Sequence, residues 1–490
     1  MQVILNSPGY TYDVHSLVAA FFPQENISIV TDAKEFGNTG CMNVFVSSGD
    51  VKGNDNVSGM IRVTLPSKNG VITCERQYEN ADRPSVKNHL KQVIYEALSK
   101  LTGQTLPWGT MTGIRPTKVP MKMIREGSSD EEIKEYMRSV YLCSDEKITL
   151  ATQIAHREKQ VIDGLSDKGF SLYIGIPFCP TTCLYCSFTS YPIVSWKDRC
   201  EEYLAALKKE LDFFSQYYKG RKCDSIYIGG GTPTTLSARQ LSDIIAYVLS
   251  GFDTSALCEL TVEAGRPDSI TAEKMKALKD SGVTRISVNP QTMNEKTLKI
   301  IGRRHTVEDV YSAFDVARAA GFSNINTDLI LGLPGEDEND VRNTFDKIKE
   351  LAPDSITVHS MAIKRAAGMH SFLEQHPDIR TLNTKRMMDM AHDLAVSLGL
   401  EAYYLYRQKN MTGNFENVGF AKKENYGIYN IAIMEEVSDI AAAGAGTISK
   451  RVFPHERIER IDNVKDVALY IDRIEEMIDR KRKLFDQNNI

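Results

Sequence analysis

The spacing of apolar residues changes along the chain, and its first part has the pattern of a small α/β domain. Residues 1 to about 105 contain short apolar runs separated by polar stretches, a pattern that predicts β-strands. The predicted strands lie at 2–5, 27–31, 43–47, 59–64 and 70–74. Apolar residues then recur at helical spacing from about 84 to 102, which predicts one long amphipathic helix. We therefore expect an N-terminal α/β domain over residues 1–105.

Residues 106–165 have a helical pattern and are predicted to form a connector. The run Ser129-Asp130-Glu131-Glu132 fits a capping box, in which the Ser and Glu side chains each bond to the backbone N–H of the other residue. A polar, glycine-bearing loop from Gly109 to Lys118 precedes this run. That loop is either a connecting turn or a segment that contacts an anionic ligand through Arg115 and Lys118.

From residue 171 onward, β-rich runs alternate with helical stretches. The predicted strands lie at 172–176, 225–228, 259–263, 285–288, 325–331 and 355–360, with helices between them. Six βα units are typical of a parallel sheet wrapped by helices, and they predict a partial (β/α)6 barrel over residues 166–400. Residues 401–490 are predicted to form a C-terminal tail domain that ends in a charged helix from about 464 to 488.

The composition describes an ordinary globular protein and excludes several classes. Of 490 residues, 42% are hydrophobic and 25% are charged, and the net charge of -5 argues against a general nucleic-acid binder, which would be basic. The N-terminus lacks the basic and apolar regions of a signal peptide, and the early apolar run Leu17 to Phe22 is too short to span a membrane. We therefore expect a cytoplasmic protein without a nucleic-acid partner or a membrane span.

Three cysteines follow the first predicted barrel strand with the spacing C-x3-C-x2-C: Cys179, Cys183 and Cys186. Three thiolates on one loop suit three corners of a cubane iron–sulfur cluster, which leaves one iron open to bind a ligand. Structural zinc normally uses two paired knuckles, and no second knuckle follows. The other cysteines, which are scattered singly and predict no disulfide framework, are Cys41, Cys74, Cys143, Cys200, Cys223 and Cys258.

Polar residues and glycines lie at the ends of several other predicted strands. The glycine-rich run from Gly229 to Thr234 follows the second strand, where glycines let backbone groups approach a ligand. Glu263 ends the third strand, Gln291 follows the fourth, Asp328 lies in the fifth, and Arg303 lies twelve residues past Gln291. Each residue alone also fits a capped turn or a surface group. Because active sites of barrels lie at the carboxyl ends of strands, together they favour a site for an amino-acid head group and a sugar, such as those of S-adenosylmethionine.

With these motifs, the sequence resembles radical S-adenosylmethionine enzymes. More narrowly, it is similar to the oxygen-independent coproporphyrinogen III dehydrogenase family and, within it, to the HemZ-type branch, which the N-terminal 165 residues also match. The five stretches that carry the resemblance begin at Tyr173, Gly229, Arg285, Gly302 and Asp328, and read Y-x5-C-x3-C-x2-C, GGGTPT, RISVNPQ, GRRH and DLILGLPG.

The resemblance implies that Cys179, Cys183 and Cys186 hold a [4Fe–4S] cluster. It implies S-adenosylmethionine contacts from Tyr173, Gly230, Gly231, Thr232, Glu263, Gln291, Arg303, Asp328 and Ala362. The implied oxidoreductase reaction starts when a 5′-deoxyadenosyl radical abstracts a β-hydrogen from a substrate propionate. Carbon dioxide then leaves, an electron passes to an acceptor, and a vinyl group remains. Two such rounds turn coproporphyrinogen III into protoporphyrinogen IX in haem biosynthesis.

The resemblance also implies partners. The cluster needs an electron donor such as flavodoxin or ferredoxin, and the tetrapyrrole substrate carries four carboxylates that need cationic hosts. Candidate hosts are Arg115, Lys364, Arg365 and Arg407.

Two departures from the family keep other functions open. The best-known dehydrogenases carry a further cysteine where this chain has Phe188, and the relatives that act as haem chaperones also lack it. Those chaperones carry a His-Asn pair in the tail, whose nearest counterpart here is Glu424-Asn425; His359 and His455 are other candidates. The dehydrogenase is the favoured hypothesis. A haem-binding chaperone and a radical enzyme acting on another tetrapyrrole are the alternatives.

Overall fold

The structure is a computed structural model that describes residues 1–23, 25–31, 37–38, 40–47, 56–362, 368–408, 415–454 and 457–485. The chain divides into two compact units. The first contains Met1–His156 and Arg407–Phe415, and the second contains Arg157–Tyr406 and Glu416–Ile490. Over the described residues, every helix is too short or too polar to cross a membrane. The boundaries predicted at residues 105, 165 and 400 stay predictions.

The first unit is built on a five-stranded sheet, and all five predicted strands are confirmed. The strands are β1 (Gln2–Leu5), β2 (Ser28–Val30), β3 (Met42–Val46), β4 (Val57–Ser67) and β5 (Gly70–Ala81). Their order is β2-β1-β3-β4-β5, with β1 parallel to both neighbours and the last two pairs antiparallel. Strand β5 runs past the predicted end at 74 because it pairs with β4 along its whole length, which allows polar residues on its exposed face.

Five helices belong to the N-terminal part of the chain: α1 (Thr11–Phe21), α2 (Arg83–Thr102), α3 (Lys118–Arg125), α4 (Asp130–Tyr141) and α5 (Asp145–Asp163). The sequence pattern did not predict α1, whereas α2 has the expected position. The predicted capping box is confirmed, because Ser129 and Glu132 exchange side-chain to backbone hydrogen bonds at the start of α4. The apolar faces of α1 and α2 pack on the sheet and form the core of this unit.

The second unit is built on one large sheet, and the six predicted βα units are confirmed. Two short strands, β7 (Phe178–Cys179) and β8 (Tyr191–Pro192), form a separate pair. The strands of the large sheet are β6 (Phe170–Ile176), β9 (Cys223–Gly230), β10 (Glu259–Glu263), β11 (Arg285–Ser287), β12 (Ile325–Leu331), β13 (Ser355–Ser360), β14 (Glu401–Tyr406), β15 (Asn417–Ala421), β16 (Asp439–Ala443), β17 (Ile448–Val452) and β18 (Ile458–Asp462). The sheet order is β14-β15-β13-β12-β11-β10-β9-β6-β16-β17-β18. Strands β6 and β9 to β13 are all parallel.

Strands from the end of the chain extend this sheet at both sides. Strand β16 adds parallel to β6, whereas β15 adds antiparallel to β13. In the part of the chain that the structure describes, the edge strands β14 and β18 pair only with β15 and β17, so the sheet stays open. This arrangement agrees with the predicted partial barrel of mixed α/β class.

The helices of the second unit connect these strands and cover the sheet. They are α6 (Cys200–Tyr217), α7 (Ala238–Gly251), α8 (Ala272–Asp280), α9 (Glu295–Ile300), α10 (Val307–Ala319), α11 (Glu338–Leu351), α12 (Met369–Gln375), α13 (Lys385–Ser397), α14 (Ile428–Glu435), α15 (Val467–Asp472) and α16 (Ile474–Phe485). The single charged helix predicted from 464 to 488 is wrong, because the chain leaves helical geometry at Arg473 and forms two helices instead.

A buried ion pair attaches the last helix to the sheet. Glu210 on α6 and Lys481 on α16 are fully buried, and their charged atoms lie 2.5 Å apart. The Glu210 carboxylate also accepts hydrogen bonds from the Gly444 N–H, the Asn463 amide and the Tyr470 hydroxyl. Gly444 follows β16 and packs so closely against Gly175 of β6 that a Cβ would lie 2.5 Å from its carbonyl oxygen. The C-terminal helix therefore supports the strand that leads into the cysteine loop.

Candidate functional site

The three cysteines lie on a loop that leaves the carboxyl end of β6. Its base is closed by the short pair β7–β8 and by a 2.8 Å bond from the Tyr191 N–H to the Pro177 carbonyl. Within the loop, the Cys186 N–H donates to the Cys183 carbonyl at 3.1 Å. All three thiols are half-buried. The first strand therefore delivers the cysteines to the mouth of the sheet, where a barrel active site is expected.

Hydrogen-bond donors from neighbouring strands contact the cysteine sulfurs. The Thr232 hydroxyl, after β9, lies 3.5 Å from Cys179 Sγ, and a guanidinium N–H of Arg266, after β10, lies 3.6 Å from Cys183 Sγ. Burial raises the pKa of the Cys179 thiol to about 11 and also raises the pKa of Cys186. Since metals bind the thiolate, cluster assembly at this loop would release protons.

The donor set fits a cluster better than a single ion. Among the described residues, no group of three or more His, Cys, Asp or Glu side chains is arranged to hold one metal ion. A cubane cluster does not require the three thiols to converge on one atom, because each cysteine binds a different iron. Three half-buried thiols on one loop, with polar donors beside two of the sulfurs, are suited to binding such a cluster.

The glycine-rich turn after β9 packs directly onto the start of the cysteine loop. The Gly231 and Thr232 N–H groups donate to the Ile176 and Phe178 carbonyls at 2.8 and 2.7 Å. A Cβ on Gly231 would lie 2.6 Å from the Phe178 oxygen, so only glycine fits. Gly230 has a φ of +103°, in the region that favours glycine, and a Cβ there would lie 3.4 Å from the Tyr173 hydroxyl. The predicted residues Tyr173, Gly230, Gly231 and Thr232 are thus neighbours.

Glu263, at the end of β10, lies beside the same turn. Its carboxylate accepts a 2.6 Å hydrogen bond from the Tyr227 hydroxyl and another bond from the Gly230 N–H. The Tyr227 ring belongs to a cluster of three rings in mutual contact, with centroids 5.9 Å from Tyr173 and 4.7 Å from Tyr429, and with those two rings 5.8 Å from each other. Burial raises the pKa of Glu263 to about 7, and the Asp328 carboxylate adds to the shift while the Tyr227 bond opposes it. Glu263 is therefore a carboxyl group that titrates near neutral pH.

Gln291, after β11, has a strained backbone and a buried amide oxygen that has no partner among the described residues. Its φ of +71° is uncommon for a residue other than glycine, and the bonds from its N–H to Asp328 O and from Ile330 N–H to its own carbonyl hold this conformation. The side chain is buried, and its Oε1 accepts no hydrogen bond from the described residues. A strained residue with an orphaned buried amide oxygen is typical of a ligand site.

Asp328 lies in β12 and is kept ionised by its neighbours. The Asn326 amide donates to it at 2.8 Å, and His359 Nε2 on β13 lies 3.7 Å away. Burial alone would raise the pKa of Asp328, but the neighbouring His359 and the hydrogen bond from Asn326 outweigh it and hold the pKa below its usual range. His359, a candidate for haem ligation, lies next to Asp328 and within 3.3 Å of the Tyr406 hydroxyl.

Arg303 joins the cysteine loop to two strand ends. It is 7% exposed, and it donates to the Asn289 carbonyl at 2.5 Å, the Gly265 carbonyl at 3.3 Å and the Tyr185 hydroxyl at 3.0 Å. Its Nε is buried and has no partner among the described residues. Arg303 therefore fixes the geometry of the mouth and keeps one donor that a ligand can use.

The structure accounts for the remaining predicted residues only in part. Ala362 lies just past the end of β13. Arg407 is buried and donates to the backbone carbonyl of Met111 at 2.6 Å, within the first unit. Phe188 is 72% exposed. Lys364, Arg365 and His455 lie outside the described residues.

Sequence inspection missed Arg266 and Tyr185. Tyr185 lies inside the cysteine motif and Arg266 lies three residues past Glu263, but nothing in their spacing distinguishes them from surface residues. Their partners, Cys183 and Arg303, lie in loops 83 and 118 residues away along the chain. Only the folded chain identifies them.

Comparisons with known proteins agree with this geometry. Residues 173–348 match the family model of the Radical SAM superfamily. The chain is 40% identical over 409 residues to the oxygen-independent coproporphyrinogen-III oxidase-like protein HemZ of Bacillus subtilis, covering 82% of this chain and 81% of the relative. It is 33% identical over 311 residues to the heme chaperone HemW of the same organism, covering 62% and 76%.

A solved structure has the same fold. The coproporphyrinogen III oxidase HemN of Escherichia coli, a radical SAM enzyme, superposes with a TM-score of 0.51 at 21% identity, over 66% of this chain and 73% of the other. The predicted cofactors, a [4Fe–4S] cluster and S-adenosylmethionine, are those that the Radical SAM superfamily uses.

Proposed function

Because the chain belongs to the HemZ-type family of radical SAM proteins, we propose that it decarboxylates the propionates of coproporphyrinogen III to vinyl groups, giving protoporphyrinogen IX. The observation that carries the proposal is that consecutive parallel strands contribute one cysteine loop, one glycine turn and three polar side chains: Glu263 at the end of β10, Gln291 after β11 and Asp328 within β12. Similarity to HemZ along 82% of the chain supports the choice of substrate.

In this proposal, Cys179, Cys183 and Cys186 hold the cluster, and S-adenosylmethionine lies beside it. Bound together and reduced, the two cofactors would supply a 5′-deoxyadenosyl radical for the abstraction of a hydrogen atom from the substrate. Three cysteine ligands leave one iron free, which suits an amino-acid head group as the fourth ligand.

The side chains around the loop would bind and orient the cofactor. Asp328, held ionised, accepts hydrogen bonds from hydroxyl or ammonium groups, and the orphaned Gln291 amide oxygen accepts one more. Glu263 stands beside the glycine turn, where small residues let a ligand approach the backbone. Tyr173 and Ala362 would form apolar contacts, and Arg303 offers its unused N–H. An electron donor such as flavodoxin or ferredoxin would reduce the cluster.

A haem-carrying function is the second candidate. It is favoured by the 33% identity to HemW and by Phe188, which stands 72% exposed where the best-known dehydrogenases carry a cysteine. Against it stands Glu424-Asn425, which lacks the histidine expected of the haem chaperones. Titration of the protein with haem, followed by absorbance, tests this candidate directly.

A strictly anaerobic assay tests the main proposal. Reconstituted protein is mixed with S-adenosylmethionine, a strong reductant and coproporphyrinogen III, and mass spectrometry follows 5′-deoxyadenosine and loss of carboxyl groups. Deoxyadenosine with a divinyl product is the expected result. Deoxyadenosine without decarboxylation contradicts the proposed substrate and leaves another tetrapyrrole. Absence of both products, with tight haem binding, contradicts the enzyme and supports the carrier.

A further inference from the structure

Arg266 is a buried cation whose guanidinium donates to Asp268 on one side and to the cysteine loop on the other. It lies three residues past Glu263, after the end of β10, and is 3% exposed. Its Nε and Nη2 form a bidentate pair with Asp268, with both distances 3.0 Å. Such a pair fixes the plane of the guanidinium. The remaining nitrogen, Nη1, therefore has a set direction.

Nη1 of Arg266 is directed at the cysteine loop. It lies 3.0 Å from the Thr181 hydroxyl, 3.4 Å from the Thr181 carbonyl and 3.6 Å from Cys183 Sγ. The last distance is within the range of a hydrogen bond to sulfur. Thr181 is itself anchored, because its hydroxyl donates to the Gly302 carbonyl at 3.1 Å. One fixed N–H of a cation thus contacts the middle cysteine.

The three cysteines have different donors. Cys179 faces the neutral hydroxyl of Thr232, and Cys186 faces the Phe188 N–H and the Ser190 hydroxyl. Arg303, the other buried cation of the mouth, donates to the Tyr185 hydroxyl and to backbone carbonyls. Among the contacts that the structure describes, Cys183 is the cysteine with a cationic hydrogen-bond donor.

We propose that Arg266 is a positioning residue that raises the reduction potential of the cluster through its N–H donation to Cys183. The inference rests on the proposed function, in which Cys183 binds the cluster. Reduction adds one electron, supplied by a low-potential donor, to a group already carrying thiolate charge. A hydrogen bond to a ligating sulfur stabilises the more negative state, so it makes the cluster easier to reduce.

Asp268 has to be considered in the test because it balances the charge of Arg266. Arg266→Gln removes the cation and the N–H donor and leaves the Asp268 carboxylate unpaired, which lowers the potential further. The double variant Arg266→Gln with Asp268→Asn keeps the net charge of the pair and removes the guanidinium donor. Comparing the two variants separates the charge from the hydrogen bond.

The experiment is a potentiometric titration of the reconstituted cluster without S-adenosylmethionine, followed by electron paramagnetic resonance. We expect the midpoint potential to fall in Arg266→Gln and to fall less, yet measurably, in the double variant. Arg239→Gln is the matched control: Arg239 lies on α7 with its side chain 91% exposed, and its loss changes the net charge equally. Its midpoint should equal that of the wild type.

The outcomes distinguish this inference from the function on which it rests. If the wild type binds no cluster, the proposed function fails and Arg266 has no such role. If the wild type binds a cluster but Arg266→Gln has the same midpoint, only the role of Arg266 is overturned. If folded Arg266→Gln and Arg266→Lys both lose the cluster, Arg266 serves cluster assembly and the inference about potential is wrong. Circular dichroism establishes that each variant is folded.

Discussion

Replacing Gly231 with alanine should disturb the cysteine loop without touching a cysteine. The residue packs against the segment Ile176–Phe178, which leads into Cys179. An added Cβ would lie 2.6 Å from the Phe178 oxygen, 2.8 Å from the Ile176 oxygen and 3.0 Å from the Phe178 nitrogen. All three are backbone atoms, so no side-chain rotation can relieve the contact. The φ of Gly231 lies outside the left-handed region, so the substitution acts through packing alone.

The size of the effect follows from these distances. Ordinary contact begins near 3.4 Å, so the two backbone segments must separate by about 0.8 Å at the closest atom. That movement stretches the bonds from Gly231 N–H to Ile176 O and from Thr232 N–H to Phe178 O past normal length. Overpacking of this kind costs about 1–3 kcal/mol. Since each 1.4 kcal/mol is tenfold, local opening should become about 5- to 150-fold more frequent.

Hydrogen–deuterium exchange of the peptide containing residues 231 and 232 measures this opening. In Gly231→Ala these amides should exchange faster by that factor, and the protein should take up less iron during reconstitution. Gly113→Ala is the matched control, because Gly113 has no atom within 4 Å of its ideal Cβ and no left-handed φ. Unchanged exchange at 231 and 232 in a folded variant would show that the close packing described between the turn and the loop is wrong.

Three other predictions concern the cluster, the carboxylate at the mouth and the C-terminal helix. Cys183→Ala should abolish the cluster absorbance and cleavage of S-adenosylmethionine, whereas Cys258→Ala, at an exposed cysteine, should not; a surviving, fully active cluster would refute the ligand assignment. Burial raises the pKa of Glu263 from 4.5 to about 7, so the native state binds more protons than the unfolded state between those values. Stability of the cofactor-free protein should therefore fall as pH rises from about 4.5 to 7, and Glu263→Gln should flatten this dependence of the melting temperature; an equal slope would contradict the burial of the carboxyl group. Glu210→Gln should cost about 3–5 kcal/mol by leaving Lys481 buried without its counter-charge. Chemical denaturation should show a smaller cost when Lys481→Met is added, and an equal cost in both variants would argue that the ion pair has no energetic coupling.

Much of the second unit was predictable because its elements have strong local patterns. Apolar runs of strand length alternate with helical stretches, so β10, β12 and β13 have the predicted bounds. The C-x3-C-x2-C loop was placed correctly at a strand end, because its spacing and its position after β6 are both local facts. Helix α1 was missed, since its short apolar run, Leu17 to Phe22, does not distinguish a helix from a strand by periodicity alone.

Contacts between distant segments were not predictable. The strands after residue 400 add to both sides of the sheet, β15 beside β13 and β16 beside β6. The sequence pattern of these strands does not indicate which strand each of them pairs with. The positions of charged residues along the sequence did not indicate that Lys481 forms an ion pair with Glu210, or that His359 lies beside Asp328 and favours its ionised form.

The sequence by itself determined the type of chemistry, because thiol spacing and strand-end glycines are properties of a few consecutive residues. The tertiary structure decided which groups surround that chemistry. The contact of Arg266 with Cys183, the strained backbone of Gln291 and the raised pKa of Glu263 each depend on atoms from other strands. Burial, hydrogen-bond direction and charge proximity exist only after the parallel strands bring their carboxyl ends together, since each is a property of distance and not of order along the chain.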